Sequence, residues 1–297
     1  MTAVGSVRSP GSVLRAYVGL TKPRIIELLL VTTVPTMIVA ERGFPPLWLV
    51  IATLVGGSLA AASANTMNSY LDADIDRMMG RTSRRPLPRD QVPRLNALRF
   101  GVVLGVISFA WLALTVNLLS AILATAAILF YVLVYTVGLK RRSVQNIVIG
   151  GAAGCVPVLV GWAAVTGEVG LPALMLFAIV FAWTPPHFWA LSLKYAEDYA
   201  RARVPMLPVV AGPLETTRQI LLYTVLLVAL TLMFGPIGGM GLLYLIAAVV
   251  LGGIFIYLAA RLLRDRSPAR AMAVFRYSIT YLGLLFAAMA ADAVIFG

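Results

Sequence analysis

Histidine and cysteine are almost absent from this 297-residue chain, at one residue each, and only 12 of its residues are acidic. The lone cysteine, Cys155, rules out an internal disulfide, and its apolar surroundings mark it as a buried structural thiol. Charge of any sign is scarce, at 12% of the chain against 60% hydrophobic residues, which excludes the composition of a soluble globular domain. The N-terminal stretch MTAVGSVRSPGSVLRAYVGLTKPRI lacks the short apolar core and small-residue cleavage site of a secretory signal. Residues 1–24 are therefore expected to be retained as a cytoplasmic segment, followed by a single transmembrane domain over 25–297.

What the chain has instead is a series of apolar runs long enough to cross a bilayer, which takes about 20 residues each. They fall at 25–41, 46–71, 97–115, 118–138, 145–165, 171–192, 217–237, 241–262 and 272–295, and predict an all-α bundle of nine transmembrane helices. The net charge of +12 would suggest nucleic acid in a soluble protein, but here its distribution is topological. Of the basic residues, only Arg42 falls on the side opposite to the others. The positive-inside rule then places the N-terminus in the cytoplasm, the C-terminus outside, and the chain as a multi-pass protein of the inner (plasma) membrane, with the lipid bilayer and not nucleic acid as its surroundings.

Outward turns are short and poor in charge, whereas two long connections, 72–96 and 193–216, face inward and carry most of the acidic residues. Polar chemistry is therefore expected at the cytoplasmic face. The two connections echo each other, Arg85-Pro86-Leu87-Pro88 in one and Pro205-Met206-Leu207-Pro208 in the other, as parallel and not inverted copies would. Glycines at helix-packing spacing, such as Gly101 and Gly105 or Gly150 and Gly154, read as close helix contacts, and the latter pair could also leave room for a bulky apolar substrate.

In NSYLDADID, the residues Asn68, Asp72 and Asp76 follow each other at i, i+4, i+8, so a continuous helix puts them on one stripe, with Asp74 on the opposite face. A carboxylate at mid-bilayer costs about 2.5–3.5 kcal/mol, so two on one stripe need an interfacial position or a compensating cation. Hard oxygen ligands with one or two carboxylates suit Mg²⁺ that completes its shell with phosphate oxygens. The plainer alternative is a solvated acidic helix end paired with arginines. Arg81, Arg84, Arg85 and Arg89 follow immediately, and Lys140 and Arg141 end the fourth run; such cations stabilise a phosphate leaving group, although topology alone also places them there.

His187 lies in WTPPHFWALSLK, where Pro185 and Pro186 are expected to kink the sixth helix. At 1.5 Å per residue, the seven residues to Lys194 place it about 10 Å below the cytoplasmic end. Trp183, Phe188 and Trp189 supply aromatic surface for a planar ligand or a cationic intermediate; a packing histidine is the bland reading. Lys194 and Asp198, again i, i+4 with Tyr199 adjacent, read most simply as a surface ion pair. Glu27, Asp292 and Arg276 sit near helix ends, where snorkelling or packing partners account for them.

With these residues in view, the chain resembles the UbiA superfamily of intramembrane prenyltransferases, through N-x₃-D-x₃-D (Asn68, Asp72, Asp76) and the acidic loop after the sixth helix. Within it, TKPRI (21–25), RTSRRPLP (81–88), YTVGLKRRSVQNIVIGGAAG (135–154), WTPPHFWALSLK (183–194), DYARARVPMLPVV (198–210) and FRYSITYLGLLF (275–286) look like the branch acting on haem. The resemblance implies a nine-helix UbiA-type bundle that transfers farnesyl from farnesyl diphosphate to a vinyl group of haem B, a substrate and not a cofactor, giving haem O for a downstream haem-modifying enzyme. It implies Mg²⁺ on Asp72, Asp76 and Asn68 with Asp198 as a further ligand, and diphosphate charge taken up by Arg81, Arg85, Lys140 and Arg141. Trp183, His187, Lys194 and Tyr199 would contact substrate. The superfamily's second motif usually opens with an aspartate where this chain has Lys194, which is expected to bind phosphate or a haem propionate directly. An aromatic acceptor such as 4-hydroxybenzoate, or a transporter binding its coupling ion at the acidic stripe, are the competing readings; the absence of polar residues deep in the outer half argues against the transporter.

Overall fold

The computed structural model describes residues 10–297, with side chains described at 11–23 and 31–297. The expectation at Glu27 lies outside these side chains. A chain surrounded by hydrocarbon must satisfy its backbone internally, and among the described residues it does so with helices alone. In order they are α1 (Pro10–Thr21), α2 (Pro23–Glu41), α3 (Leu47–Leu71), α4 (Ala73–Met78), α5 (Arg94–Thr115), α6 (Leu118–Leu129, continued as a π-helix over Phe130–Leu139), α7 (Asn146–Thr166), α8 (Leu171–Lys194), α9 (Ala196–Arg201), α10 (Leu207–Val210), α11 (Gly212–Ile237), α12 (Leu242–Arg264) and α13 (Pro268–Phe296).

Eight of these, α3, α5, α6 with its π extension, α7, α8, α11, α12 and α13, are long and apolar enough to cross a membrane. The ninth expected span, 25–41, lies in α2, whose described apolar part is Val31–Glu41. The protein is a multi-pass membrane protein. Observed helices reach past several expected spans, as α13 does beyond 272–295 and α11 beyond 217–237, because their polar first turns continue the helix out of the apolar run.

One end of the bundle is locked by two charges acting on backbone. Asp292, buried in α13, accepts bonds from Gly241 N at 2.6 Å and Tyr244 N at 2.9 Å, capping the N-terminus of α12. Arg42 donates to the carbonyls of Gly238 at 2.7 Å and Gly239 at 3.0 Å, which end α11. The packing explanation expected for Asp292 therefore holds.

Three local features refine the expected helices. The acidic stripe is not on one unbroken helix: α3 stops at Leu71, Asp72 sits between helices at φ −93°, ψ 6°, and α4 carries Asp76. The spacing survives, because Asp72 N bonds Asn68 O at 2.9 Å and Asp76 N bonds Asp72 O at 2.8 Å across the break. The fourth span widens into a π-helix just before Lys140, whose N–H reaches back five residues to Tyr135 O at 2.8 Å. Pro185 and Pro186, expected to kink the sixth span, lie inside α8, which runs on as one helix to Lys194.

Gly101, Gly105 and Gly150 make the close helix contacts their spacing suggested, whereas Gly154 faces open space. Ser63 of α3 donates to Gly101 O of α5 at 2.7 Å, which only close backbone approach allows. On α12, a Cβ at Gly252 would lie 2.9 Å from both methyl carbons of Val228, whereas the neighbouring Gly253 faces open space. Val228 is β-branched and cannot swing aside. Gly252→Ala should therefore destabilise the folded protein by about 1–3 kcal/mol, while Gly253→Ala should be neutral or stabilise it by up to about 1 kcal/mol. Thermal unfolding of the two variants in detergent measures both; equal midpoints would contradict the packing.

Candidate functional site

The site is assembled where the end of α3, the start of α4, the junction of α1 and α2, and the end of the π-helix meet. Asn68 is its hub. Its Oδ1 accepts from Lys22 Nζ at 2.7 Å, and its Nδ2 donates to Asp72 Oδ2 at 2.7 Å and to Thr136 Oγ1 at 3.1 Å. Thr136 in turn donates to Tyr131 O at 2.8 Å, five residues back, so the wide helix supplies the carbonyl that orients it. One turn on, Lys140 ion-pairs with Asp72 Oδ2.

Asp72 and Asp76 are almost completely enclosed, at 0% and 2% exposure. Asp76 receives Arg85 Nη1 at 2.9 Å on Oδ1 and 2.8 Å on Oδ2. Asp72 Oδ1, by contrast, is buried with no hydrogen-bond partner. A desolvated anionic oxygen of this kind is expensive unless a cation or water completes it. Two carboxylates thus face three basic side chains, leaving both an orphan oxygen for a cation and positive charge for an anion.

Asp74 faces away, as the spacing predicted, and forms a two-pronged pair with Arg141, Nη1 to Oδ2 and Nη2 to Oδ1, both at 2.7 Å. This guanidinium holds the Asp74 carboxyl below its ordinary range. Arg141 Nη2 also bonds Leu71 O at 3.0 Å, satisfying the last carbonyl of α3 at the helix break.

The second long connection meets the first at Gly80, where a Cβ would lie 3.9 Å from each carboxylate oxygen of Asp198. Arg81 and Lys194 lie 5.9 and 5.5 Å from the ring centre of Tyr195. The expected Lys194–Asp198 pair does not form. Tyr195 ends α8 directly after Lys194, α9 starts a new helix that carries Asp198 and a buried Tyr199, and Asp198 pairs with Arg201 instead. Among the described residues no three His, Cys, Asp or Glu side chains converge as a preassembled metal cage.

His187 lies on α8, stacked between Trp183 at 4.3 Å and Phe275 at 4.7 Å, with Phe188 edge-on at 5.4 Å. Trp183 Nε1 donates to Ser278 O at 2.7 Å, and His187 Nδ1 is 2.7 Å from Ser278 Oγ. The neighbouring helix α7 presents Gly150 to the Tyr135 ring and Gly151 to Thr184. Lys22, Thr136 and Ser278 were not singled out from the sequence. Each lies inside a run quoted above, but nothing in those runs said which partner the side chain would meet.

The family description "UbiA prenyltransferase family" matches residues 29–288. The chain is 57% identical over 285 residues to a protoheme IX farnesyltransferase of Parafrankia sp. (strain EAN1pec), covering 95% of this chain and 91% of that one. It is 56% identical over 285 residues to a protoheme IX farnesyltransferase of Frankia alni, covering 95% and 99%. Its fold is similar to a solved digeranylgeranylglyceryl phosphate synthase, with TM-score 0.79 at 20% identity over 95% of this chain and 99% of that one. It is also similar to a UbiA homolog from Archaeoglobus fulgidus bound to DMAPP and Mg²⁺, with TM-score 0.65 at 16% identity over 92% and 99%.

Lys22 has a further consequence for the energetics of the site. It occupies the left-handed region at φ 53°, uncommon for a side chain of this kind, immediately before Pro23. Part of its stem remains accessible while the ammonium is enclosed. Burial, reinforced by Arg85 and Lys140, pulls its pKa from 10.5 down to about 7. Between those two values the unfolded chain holds a proton that the folded chain has released, so this group makes stability rise with pH; below about pH 7 its burial penalty is complete. Lys22→Met should flatten that rise. Thermal midpoints of both proteins from about pH 7 to about pH 10 test it, and parallel curves would refute the assignment.

Proposed function

The chain belongs to the UbiA prenyltransferase family, and from that membership we propose that it transfers the farnesyl group of farnesyl diphosphate to a vinyl group of haem B, giving haem O. The observation that carries the donor half of this reading is the orphaned, buried Asp72 Oδ1 among Lys22, Arg85 and Lys140. The acceptor half rests on the relatives above, which are named protoheme IX farnesyltransferase, and on the aromatic cluster around His187.

The residues present fit a Mg²⁺ ion. Asp72, Asp76 and Asn68 offer hard oxygen donors, Asp198 stands across the junction of the two loops, and two carboxylates suffice for an ion that keeps waters and takes substrate phosphate oxygens. When bound, Mg²⁺ would supply charge neutralisation of the diphosphate. Lys140, now held by Asp72, carries an ammonium that can turn to phosphate oxygens, and Lys22, held by Asn68, takes up its proton more readily once an anion is beside it. Arg85 is held on Asp76, Arg81 and Lys194 lie beside Tyr195 where the two long connections meet, and Arg141 fixes the helix break that places Asp72.

In the reaction the C1–O bond of farnesyl diphosphate breaks with its electron pair leaving on the diphosphate. The vinyl carbon forms the new bond to C1, and the porphyrin-stabilised cation takes up water and loses a proton to give the hydroxyethylfarnesyl side chain. Tyr131 and Tyr135, stacked at 5.2 Å beside Lys140, present aromatic faces that suit developing positive charge on the prenyl chain. His187 and Trp183 contact haem, with His187 Nε2 as an iron ligand, and Tyr199 lines the substrate side of the second loop. The concentration of basic residues on one side supports an active site facing the cytoplasm in the inner membrane, with the product passing to a downstream haem-modifying enzyme.

Purified protein given haem B and farnesyl diphosphate should form haem O, detected by mass, with Mg²⁺-dependent release of pyrophosphate. Asp72→Asn should lower the rate by about 10²–10³-fold. Haem O formation at the wild-type rate in that variant would overturn the diphosphate assignment.

A further inference from the structure

We propose that Ser278 is a positioning residue for His187, fixing the imidazole as its Nδ1–H tautomer so that the Nε2 lone pair is left free for haem iron. The inference rests on the haem-binding reading of His187 given above and deepens it.

Ser278 lies on α13 and grips α8 at two points four residues apart. Its carbonyl accepts from Trp183 Nε1 at 2.7 Å, and its hydroxyl oxygen is 2.7 Å from His187 Nδ1. The same hydroxyl donates to Phe275 O at 2.7 Å, one turn back in its own helix. A hydroxyl has one proton, and a carbonyl can only accept. With that proton directed to Phe275 O, the contact to His187 is made by the ring N–H donating to Ser278 Oγ, which puts the neutral imidazole's proton on Nδ1.

The surroundings leave the ring little other freedom. Trp183 covers one face at an interplanar angle of 19° and Phe275 the other at 30°, while Phe188 stands nearly perpendicular at 88°. Ser278 is fully buried, so water does not compete for Nδ1. No described side chain holds Nε2. A histidine that ligates a metal through one nitrogen characteristically donates its other N–H to an oxygen that fixes tautomer and ring orientation, and loss of such a partner typically costs about 10–100-fold in metal affinity. Ser278 supplies that oxygen from the neighbouring helix, and its carbonyl holds the Trp183 ring that stacks on the imidazole.

Because the chain contains a single histidine, ¹⁵N-histidine labelling of the full-length protein gives one pair of ring nitrogen signals. Without haem, at about pH 8 where an imidazole is neutral, Nδ1 should carry the proton and Nε2 should show the signal of an unprotonated nitrogen. Ser278→Ala should move both signals toward the tautomer average, and Ser278→Thr, which keeps the hydroxyl, should restore them. In haem titrations followed by the Soret band, Ser278→Ala should bind about 10-fold more weakly, with Ser278→Thr close to wild type. A protonated Nε2 in the wild-type protein, or unchanged signals in Ser278→Ala, overturns the inference. A His187→Ala protein with the wild-type haem spectrum instead overturns the haem reading beneath it, and leaves the tautomer measurement to stand by itself. The wild-type spectrum alone decides the tautomer if Ser278→Ala does not fold.

Discussion

Two aspartates enclosed at the edge of an apolar bundle have to be neutralised by the protein, because neither water nor lipid can do it there. Asp72 and Asp76 each meet a cation from a different part of the chain, Lys140 from the end of the π-helix and Arg85 from the loop before α5, while Lys22 approaches Asn68 from the start of α2. The arrangement at this end of the bundle follows from that requirement. The helix break at Asp72 and the wide turn before Lys140 let backbone elements from opposite sides bring charge to one place. The N-terminal helix then packs Ala16 and Leu20 onto Ala73, Leu87, Val92 and Ala97, fastening Lys22 and the Arg85 loop into the same unit.

Charge is used differently at the two ends of the bundle. At one end, Asp292 and Arg42 are spent on backbone groups at helix termini, which stabilises the scaffold and leaves little for chemistry. At the other end, acids and bases face one another with Asp72 Oδ1 unpartnered. A fully satisfied network would be more stable than this one, and an incompletely satisfied site is what a diphosphate and its metal would complete.

The acceptor side obeys a different rule. Around His187 the contacts are stacked rings and bonds from Ser278, with no charged partner among the described residues, which suits a large planar molecule whose body is apolar. Gly150 and Gly151 let α7 sit close to Tyr135 of the π-helix and to Thr184 of α8, the helix that carries His187.

Much of this was legible in the linear sequence. The apolar runs defined the spans, the bias of arginine and lysine picked the polar face, and the four-residue spacing of Asn68, Asp72 and Asp76 put three polar groups together even though the helix between them breaks. Those features depend on local periodicity and on the solvent, which composition states directly. Lys194 and Asp198 show the limit: at the same spacing they part company, because Tyr195 ends α8 between them and Arg201 takes the carboxylate. Lys22 looked topogenic until folding carried it 46 residues along the chain to Asn68, and Thr136 and Ser278 were silent until partners 68 and 91 residues away were brought within hydrogen-bond distance. The sequence by itself determined where polar groups could lie in the membrane, because burial without a partner is costly everywhere along the chain. Which cation meets which carboxylate, and which hydroxyl turns the single histidine, was decided only by the tertiary structure, because such contacts join helices whose separation in sequence has no periodicity to reveal it.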